Sequence, residues 1–329
     1  MTFFVTGASG FLGGRIAQLL ASRGDRVRVL VRPGNDLRHL AGFRIEEAVG
    51  SLGDPAALRA AVQGCTHIIH CAAASTDWAP WETYAAANAT GVRNLLEAAR
   101  QLPNLERFLH VSTTDVYGYP AVPCQEEAPL VDVGLPYNRT KIRGERAVRE
   151  AMAGWGMPAT IIRPATIYGP RGTAFGRDIA AHLRQGTMAV FDGGRSRGGF
   201  CYVDNAADAI LTATCDASAW GKVYNLADGT GAVWRDYADR MAAGLGFRRA
   251  WINLPSGIAL GLARGMEALH SRVPALGRPL LTRHALLLLS VDQEFPADTA
   301  RRDFGFRPTV SFDEGMERMI ASLASEFRK

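Results

Sequence analysis

Tyr137 and Lys141 stand four residues apart in the run PYNRTK (136–141), at the head of a stretch with helical patterning. On a helix that spacing puts both side chains on one face. An ammonium beside a phenol stabilises the phenolate and draws the phenol down from its ordinary value of about 10. Such a tyrosine can exchange a proton with a hydroxyl or a carbonyl oxygen. A Y-x-x-x-K arises often by chance, but lysine is scarce here, with Lys222 and Lys329 the only others. Upstream, HVSTTDVYG (110–118) puts Ser112, Thr113 and Thr114 at the end of a candidate strand. A hydroxyl there can hold a reacting oxygen, or simply cap the strand end. Asp115 in the same run is a candidate second acid or base.

A second constellation binds rather than reacts. In TGASGFLG (6–13), Gly7, Gly10 and Gly13 lie between an apolar run and a helical pattern. In that context the first glycine permits a tight turn, the second lets backbone approach a pyrophosphate, and the third lets helix and sheet pack closely. The helix N-terminus adds free N–H groups and partial positive charge. Gly7, Ser9, Gly10, Phe11, Leu12 and Gly13 are therefore candidate cofactor-binding residues, and the cofactor is a dinucleotide. An NAD-preferring site ends its second strand on an acid that holds the ribose 2′-OH. Here that strand ends VLVRPGND, with Val31 at the acidic position and Arg32 after it. A planar guanidinium suits a 2′-phosphate, so the preference leans to NADP(H), with NAD(H) possible. Two alternatives stay open: Arg32 as a plain surface residue, and Asp36 reaching the ribose.

Positioning these groups requires strands alternating with helices. Residues 2–6, 27–31, 67–73, 107–113 and 160–165 read as strands, and 11–22, 82–101 and 137–153 as helices. That alternation predicts an α/β fold, a Rossmann doubly wound parallel sheet with helices on both faces. After residue 166 the pattern loosens: a helix at 176–186, a strand entering a helix at 200–214, a late strand at 223–228, then mostly helix. The expected division is a dinucleotide-binding domain of 1–165 and 200–224, with a smaller, mostly helical substrate lobe of 166–199 and 225–329.

Composition narrows the function class. With 47% hydrophobic and 21% charged residues, the chain has an ordinary globular balance. No apolar run reaches the roughly 20 residues of a membrane span, and the N-terminus lacks the basic start of a secretory signal. Cys65, Cys71, Cys124, Cys201 and Cys215 are scattered, as in a reducing compartment, so a cytoplasmic location is expected. The net charge of +5, nearly all from arginine, suits a solvated surface and an anionic cofactor. No basic block with interleaved aromatics argues for nucleic acid, and no spacing argues for a metal.

The motifs occur together and in order: TGASGFLG, HCAA (70–73), N-x-TG-x-x-NLLEAA from Asn88, VST-x-x-VYG, Y-x-x-x-K, RP-x-x-IYGP (163–170) and YVDN-x-A-x-A (202–209). Across nearly its whole length the chain resembles the extended short-chain dehydrogenase/reductase superfamily, the NAD(P)-dependent epimerase/dehydratase group. The resemblance implies that Tyr137 is the catalytic acid/base, Lys141 its partner, and Thr113 the catalytic hydroxyl. It puts Ala72, Ala73 and Ala74 along the cofactor and Pro164 beside the nicotinamide. The family's adenine-contacting acid–hydrophobe pair falls on Ser51 and Leu52, so the acid is missing unless Asp54 replaces it. A homodimer through the helices at 82–101 and 137–153 is also implied.

Three departures separate the chain from nucleotide-sugar enzymes of the group. The dehydratase run T-D-E-x-Y-G matches Thr113-Thr114-Asp115, which lacks the first acid. The R-x-x-N before Y-G-P is RPAT, placing Thr166 at the asparagine position. The arginine expected five residues before the valine of V-D is Gly198, although Arg197 adjoins it. Downstream, PSGIALGLARGMEAL (255–269) and PLLTRHALLLLSV (279–291) resemble the 3β-hydroxysteroid dehydrogenase-like branch. Those stretches either line a hydrophobic pocket or form core helices, the latter supported by the spacing of Leu262, Met266 and Leu269. Trp78 and Trp81 follow the cofactor strand as pocket walls or as packing, whereas His67 and His70 read as core. The expected function is NAD(P)-dependent interconversion of a secondary alcohol and a ketone on a fairly hydrophobic small molecule: sterol-like, β-keto-acid or polyketide-like. Trp78, Asp115, Thr166 and Arg197 are the candidate pocket residues. The alternative is a nucleotide-sugar epimerase or dehydratase that recycles a tightly bound cofactor.

Overall fold

The computed structural model describes residues 1–327. Its strands are β1 (Thr2–Thr6), β2 (Arg26–Val31), β3 (Ile45–Val49), β4 (His67–His70), β5 (Arg107–Val111), β6 (Ala159–Pro164), β7 (Thr166–Tyr168), β8 (Ala189–Phe191), β9 (Phe200–Tyr202), β10 (Val223–Leu226) and β11 (Ile252–Leu254). Its helices are α1 (Phe11–Ser22), α2 (Pro55–Ala61), α3 (Trp81–Ala85), α4 (Gly91–Arg100), α5 (Pro136–Trp155), α6 (Ile179–Gln185), α7 (Val203–Cys215), α8 (Trp234–Leu245), α9 (Ser256–Arg272), α10 (Arg283–Ser290), α11 (Asp298–Phe304) and α12 (Phe312–Phe327).

Seven strands form the main sheet in the order β10-β6-β5-β4-β1-β2-β3. Every pairing in it is parallel. This is the expected Rossmann sheet. Runs such as FFVT and HIIH are buried throughout, as strands covered on both faces must be. One face packs Ile16, Leu20, Ile210 and Leu211 of α1 and α7 against the sheet. The other packs Leu58, Leu95, Leu96 and Val148 of α2, α4 and α5. Strand order reverses between β1 and β4, which opens a crevice at the strands' C-terminal ends.

Several boundaries differ from expectation for physical reasons. β3 and α2 escaped the sequence reading. β3 is a short edge strand whose Glu46 and Glu47 are exposed, so no apolar run marks it. α2 is one short helix held by the Asp54 cap. β4 ends at His70 and β5 at Val111, earlier than expected. Beyond them the backbone turns away to other partners: the Ala72 N–H donates to Thr6 Oγ1 (3.2 Å), and the Asp115 N–H to Thr113 Oγ1 (3.2 Å). α3 and α4 are joined by a π-helical turn, Ala86–Thr90, within the single helix expected there.

The C-terminal part is mostly helical, as expected, and adds two small parallel sheets in which β7 pairs with β9 and β8 with β11. Its core is aromatic, built on Tyr168, Phe200, Trp234, Tyr237 and Phe312. α11 lies inside the stretch expected to form the lobe, yet Ala300 and Phe304 join the core of the main sheet, with Phe304 edge-on to Tyr224 of β10. The Leu262–Met266–Leu269 spacing does not mark a core stripe, since Leu262 and Leu269 are 46% and 53% exposed. α9 buries its small face instead, Ala259 and Ala263, with Glu267 ion-paired to Arg283. Among the described residues no helix is long and apolar enough to cross a membrane.

Candidate active site

The glycine turn is built for close approach. Gly7 has φ +76°, and a Cβ there would stand 2.7 Å from the Ala72 nitrogen. A Cβ on Gly13 would stand 2.5 Å from the Gly7 carbonyl oxygen, so the start of α1 can rest on the turn only without one. Gly10 closes the turn by donating to the Gly7 carbonyl (2.9 Å) and then caps α1 with no side chain over the first N–H groups. The first turn of α1 carries no acid. Phe11 and Leu12 thus open an uncapped helix end, the geometry that receives a pyrophosphate.

The adenosine side is fixed by the loops after β2 and β3. Asn35 donates to Ser9 Oγ (3.0 Å), drawing the 32–36 loop onto the glycine turn. Arg32 is exposed there and forms no ion pair among the described residues. Asp36, the alternative ribose partner, is engaged by Arg38 through both carboxylate oxygens, which holds its carboxyl well below the usual range. Asn94 donates to the Leu52 carbonyl (2.8 Å), setting the Ser51–Leu52 loop over α4. Asp54, the other acid near this loop, accepts from the Ala56 and Ala57 N–H groups through Oδ1 as the cap of α2.

The loop after β4 is clamped by a residue that the sequence reading passed over. Asn88, in the π-helical turn, accepts from the Ala74 N–H (2.8 Å) and donates to the Ala74 carbonyl (3.0 Å) and to Thr140 Oγ1 (3.2 Å). It thereby joins the Ala72–Ala74 loop to α5, and Gly144 leaves room for the Asn88 carbonyl. Its signal in the sequence was the N-x-TG motif, and its function is one π-helices often serve.

Thr113, Tyr137 and Lys141 come together at the crevice. Lys141 is buried and donates to the Val111 carbonyl (2.8 Å), and burial pulls its ammonium down to about 8 against the pull of Glu145, Cys71 and Asp115. Tyr137 is half-buried, and its phenol is pushed well above its ordinary value, first by desolvation, then by the charge of Asp115, with Thr113 opposing. This corrects the expected lowering by Lys141: the ammonium is directed at the strand-end carbonyl, and desolvation dominates at the phenol. A protonated phenol is the form that donates to a carbonyl. Ser112 is not part of this group, because its hydroxyl donates to Glu145 Oε2 (2.8 Å) on the far side of the strand end.

Asp115 is buried, and Oδ2 receives both the Tyr119 hydroxyl (2.8 Å) and His284 Nε2 (3.0 Å). His284 lies on α10 and stacks on the Tyr137 ring (5.1 Å, 21°). No local signal marked it, since 169 residues separate it from Asp115. Trp78 is half-buried next to Asp77, which Arg278 grips through both carboxylate oxygens (2.8 Å each). Thr166 is enclosed in β7 opposite Phe200, and Arg197 is an exposed partner of Glu294. Pro164 is buried at the C-terminal end of β6.

These residues fit a dinucleotide. The turn has clearance only as glycine, the helix end is uncapped, and the Lys141 ammonium has three donors but one protein acceptor, Val111. Residues 3–227 match the model of the NAD dependent epimerase/dehydratase family. The chain is 30% identical to a 4-hydroxy-2-methyl-3-oxo-4-farnesyl-3,4-dihydroquinoline-1-oxide ketoreductase of Stigmatella aurantiaca, over 97% of this chain and 96% of that one. It is 29% identical to a 2-alkyl-3-oxoalkanoate reductase of Stenotrophomonas maltophilia (strain K279a), over 99% and 100%. It superposes on a UDP-glucuronic acid 4-epimerase of Bacillus cereus in complex with UDP-glucuronic acid and NAD with a TM-score of 0.79, at 22% identity over 99% and 100% of the chains.

The depressed Lys141 ammonium has a thermodynamic consequence. Between about pH 8 and the ordinary lysine value of 10.5 the unfolded chain binds more protons at this position than the folded one. Stability contributed here therefore rises with pH through that window. Denaturant titrations at pH 7 and 9 should show wild type gaining about 1 kcal/mol relative to Lys141→Met. A constant difference between the two proteins would contradict a buried, depressed ammonium.

Proposed function

The chain belongs to the NAD dependent epimerase/dehydratase family, and from that premise we propose that it is a reductase interconverting a ketone and a secondary alcohol on a hydrophobic small molecule. The observation that carries this reading is Tyr137 in hydrogen-bond contact with Thr113, with Lys141 buried one helical turn further on against the Val111 carbonyl. In the reducing direction the ketone oxygen accepts from the Thr113 and Tyr137 hydroxyls, and Tyr137 gives up its proton as the alcohol forms. The unused N–H groups of Lys141 orient the nicotinamide ribose and steady the phenolate left on Tyr137. The nicotinamide, when bound, supplies the hydride. Gly7, Ser9, Gly10, Phe11, Leu12 and Gly13 hold its pyrophosphate, while Ser51, Leu52, Ala72, Ala73, Ala74 and Pro164 flank the rest of the cofactor.

A less polar substrate is supported by the names of the ketoreductase and oxoalkanoate reductase relatives. The substitutions at Thr114, Thr166 and Gly198 support it too, since each removes a group that would hold or process a nucleotide sugar. Trp78 and Asp115 line the inner pocket in this reading, and Thr166 and Arg197 its outer part. The division into a Rossmann domain of 1–165 with 200–224 and a substrate lobe of 166–199 with 225–329 belongs to the same reading, α11 excepted. We place the enzyme in the cytoplasm, on its five unbridged cysteines.

Tyr137→Phe should lower turnover of a β-keto or cyclic ketone substrate at least ~100-fold while cofactor binding survives. Wild-type consumption of NADPH, followed by its absorbance, separates this reading from a recycling epimerase, which would consume none. NADP(H) is the preferred cofactor, because Arg32 is left free while Asp36 is bound to Arg38. Arg32→Ala should weaken NADP(H) about tenfold or more and leave NAD(H) unaffected, as loss of a charged hydrogen bond does. An equal change for both cofactors would remove Arg32 from the site. Two copies pair through α4 and α5, whose outward faces carry Arg93, Glu97, Arg143 and Glu150. Light scattering should give twice the mass of the 35.5 kDa chain, and a monomer at micromolar concentration would refute this pairing.

A further inference from the structure

Thr113, Tyr137 and Lys141 all come from the first half of the chain. The lobe nevertheless reaches Tyr137 with a titratable group. His284 sits in the first turn of α10, whose start is fixed twice. Thr282 Oγ1 accepts from the Ala285 N–H (3.1 Å) as the helix cap and donates to Asp77 Oδ2 (2.9 Å). Arg278 grips the same carboxylate. The result is a ring laid flat on Tyr137, with its Nε2 on Asp115.

Asp115 is the reason this contact matters. Its carboxylate is buried beside the phenol. When Tyr137 passes its proton to a ketone, negative charge develops on the phenolate in a poorly solvated crevice, next to that carboxylate. Like charges at short range in such a place oppose ionisation. Two donors offset the carboxylate, and both converge on Oδ2: the hydroxyl of Tyr119 and the imidazole of His284. Tyr119 reaches it only from a left-handed backbone, φ 62°, a conformation that a non-glycine residue rarely holds without a reason. Its ring also packs edge-on to His284 (6.2 Å, 61°). The three side chains form one unit around a single carboxylate oxygen.

We propose that His284 is a positioning residue for the reduction: it ties Asp115 away from Tyr137 and offsets its charge, so that the phenolate can form, and it couples turnover to seating of the lobe on the crevice. The inference rests on Tyr137 being the proton donor, as argued above.

The test is a double-mutant cycle with four proteins: wild type, His284→Phe, Asp115→Asn and the double variant, together with His284→Gln. Phenylalanine keeps the stacked ring and loses the donor, whereas glutamine keeps a donor and loses the ring. His284→Phe should lower kcat at least about tenfold with KM for NADPH unchanged, and Asp115→Asn should restore most of that loss in the double variant, as coupled neighbours do. His284→Gln should keep kcat within about threefold of wild type. Independent, multiplying effects of His284→Phe and Asp115→Asn would overturn the proposal, as would wild-type kcat in His284→Phe. Should His284→Phe fail to fold, judged by its melting curve and NADPH binding, the kcat of His284→Gln decides alone, a loss above about threefold counting against. Failure of the underlying reading has a different signature, a wild type no faster than Tyr137→Phe.

Discussion

Helix α5 carries Tyr137, Lys141 and Glu145 at four-residue spacing on a single face, and the last of the three fixes the other two. Glu145 has no exposed surface and is gripped by Arg163 of β6, itself fully buried, through two guanidinium nitrogens. Ser112 donates to the same carboxylate, and Arg149 reaches it from the next turn. Removing one partner of such a pair strands a buried charge, at a cost of about 3–5 kcal/mol. The pair therefore sets both the rotation of α5 about its axis and its height along β5 and β6. Tyr137 and Lys141 inherit that setting two turns and one turn away, respectively. Arg163 also donates to the Tyr117 hydroxyl, which passes a bond to Asn225 of β10. One ion pair thus ties α5 to three strands of the sheet at the end where the reaction occurs.

The site is poised by burial more than by direct contact between its charged members. Desolvation raises the phenol of Tyr137 and lowers the ammonium of Lys141, so each group is biased toward its neutral form. The stacked pair His70 and His110, in register on adjacent strands, is held neutral in the same way. A neutral phenol and a weakened ammonium make a donor that is loaded at neutral pH and a cation that gains much from any new acceptor. Binding a polar ribose at Lys141 would restore the ammonium, and with it the pull on the phenol that the spacing of 137 and 141 leads one to expect.

What could be read from the sequence was whatever the chain encodes locally. The βαβ start, the glycine turn and the Tyr–Lys face each lie within a few turns of one element, and apolar runs mark the inner strands. Edge strand β3 carries glutamates instead of an apolar run, and α2 is defined by one cap, so neither leaves a periodic trace. β4 and β5 end earlier than their sequence pattern suggests because Ala72 and Thr113 look like strand residues, yet the Ala72 N–H goes to the Thr6 side chain and the Thr113 hydroxyl accepts from the Asp115 N–H. His284 belongs to the site through a contact made across the chain, and Tyr119, only four residues from Asp115, reaches it from a left-handed backbone that no sequence pattern marks. Glu267, an acid in the middle of an apolar helical pattern, inverted the face that the pattern suggested for α9.

The two halves of the molecule divide the work accordingly. In the proposed reading the Rossmann half holds the proton donor and the cofactor, and its glycine turn allows little variation, since a single Cβ at Gly7 or Gly13 would collide with backbone. The lobe meets that half at two carboxylates, Asp77 and Asp115, each on a loop leaving the C-terminal end of a sheet strand. Their partners lie close together, Arg278 in the segment that leads into α10 and His284 in the first turn of that helix. In the proposed reading selectivity follows from how the lobe is seated on those two carboxylates, while the proton transfer follows from the face of α5 that Glu145 fixes.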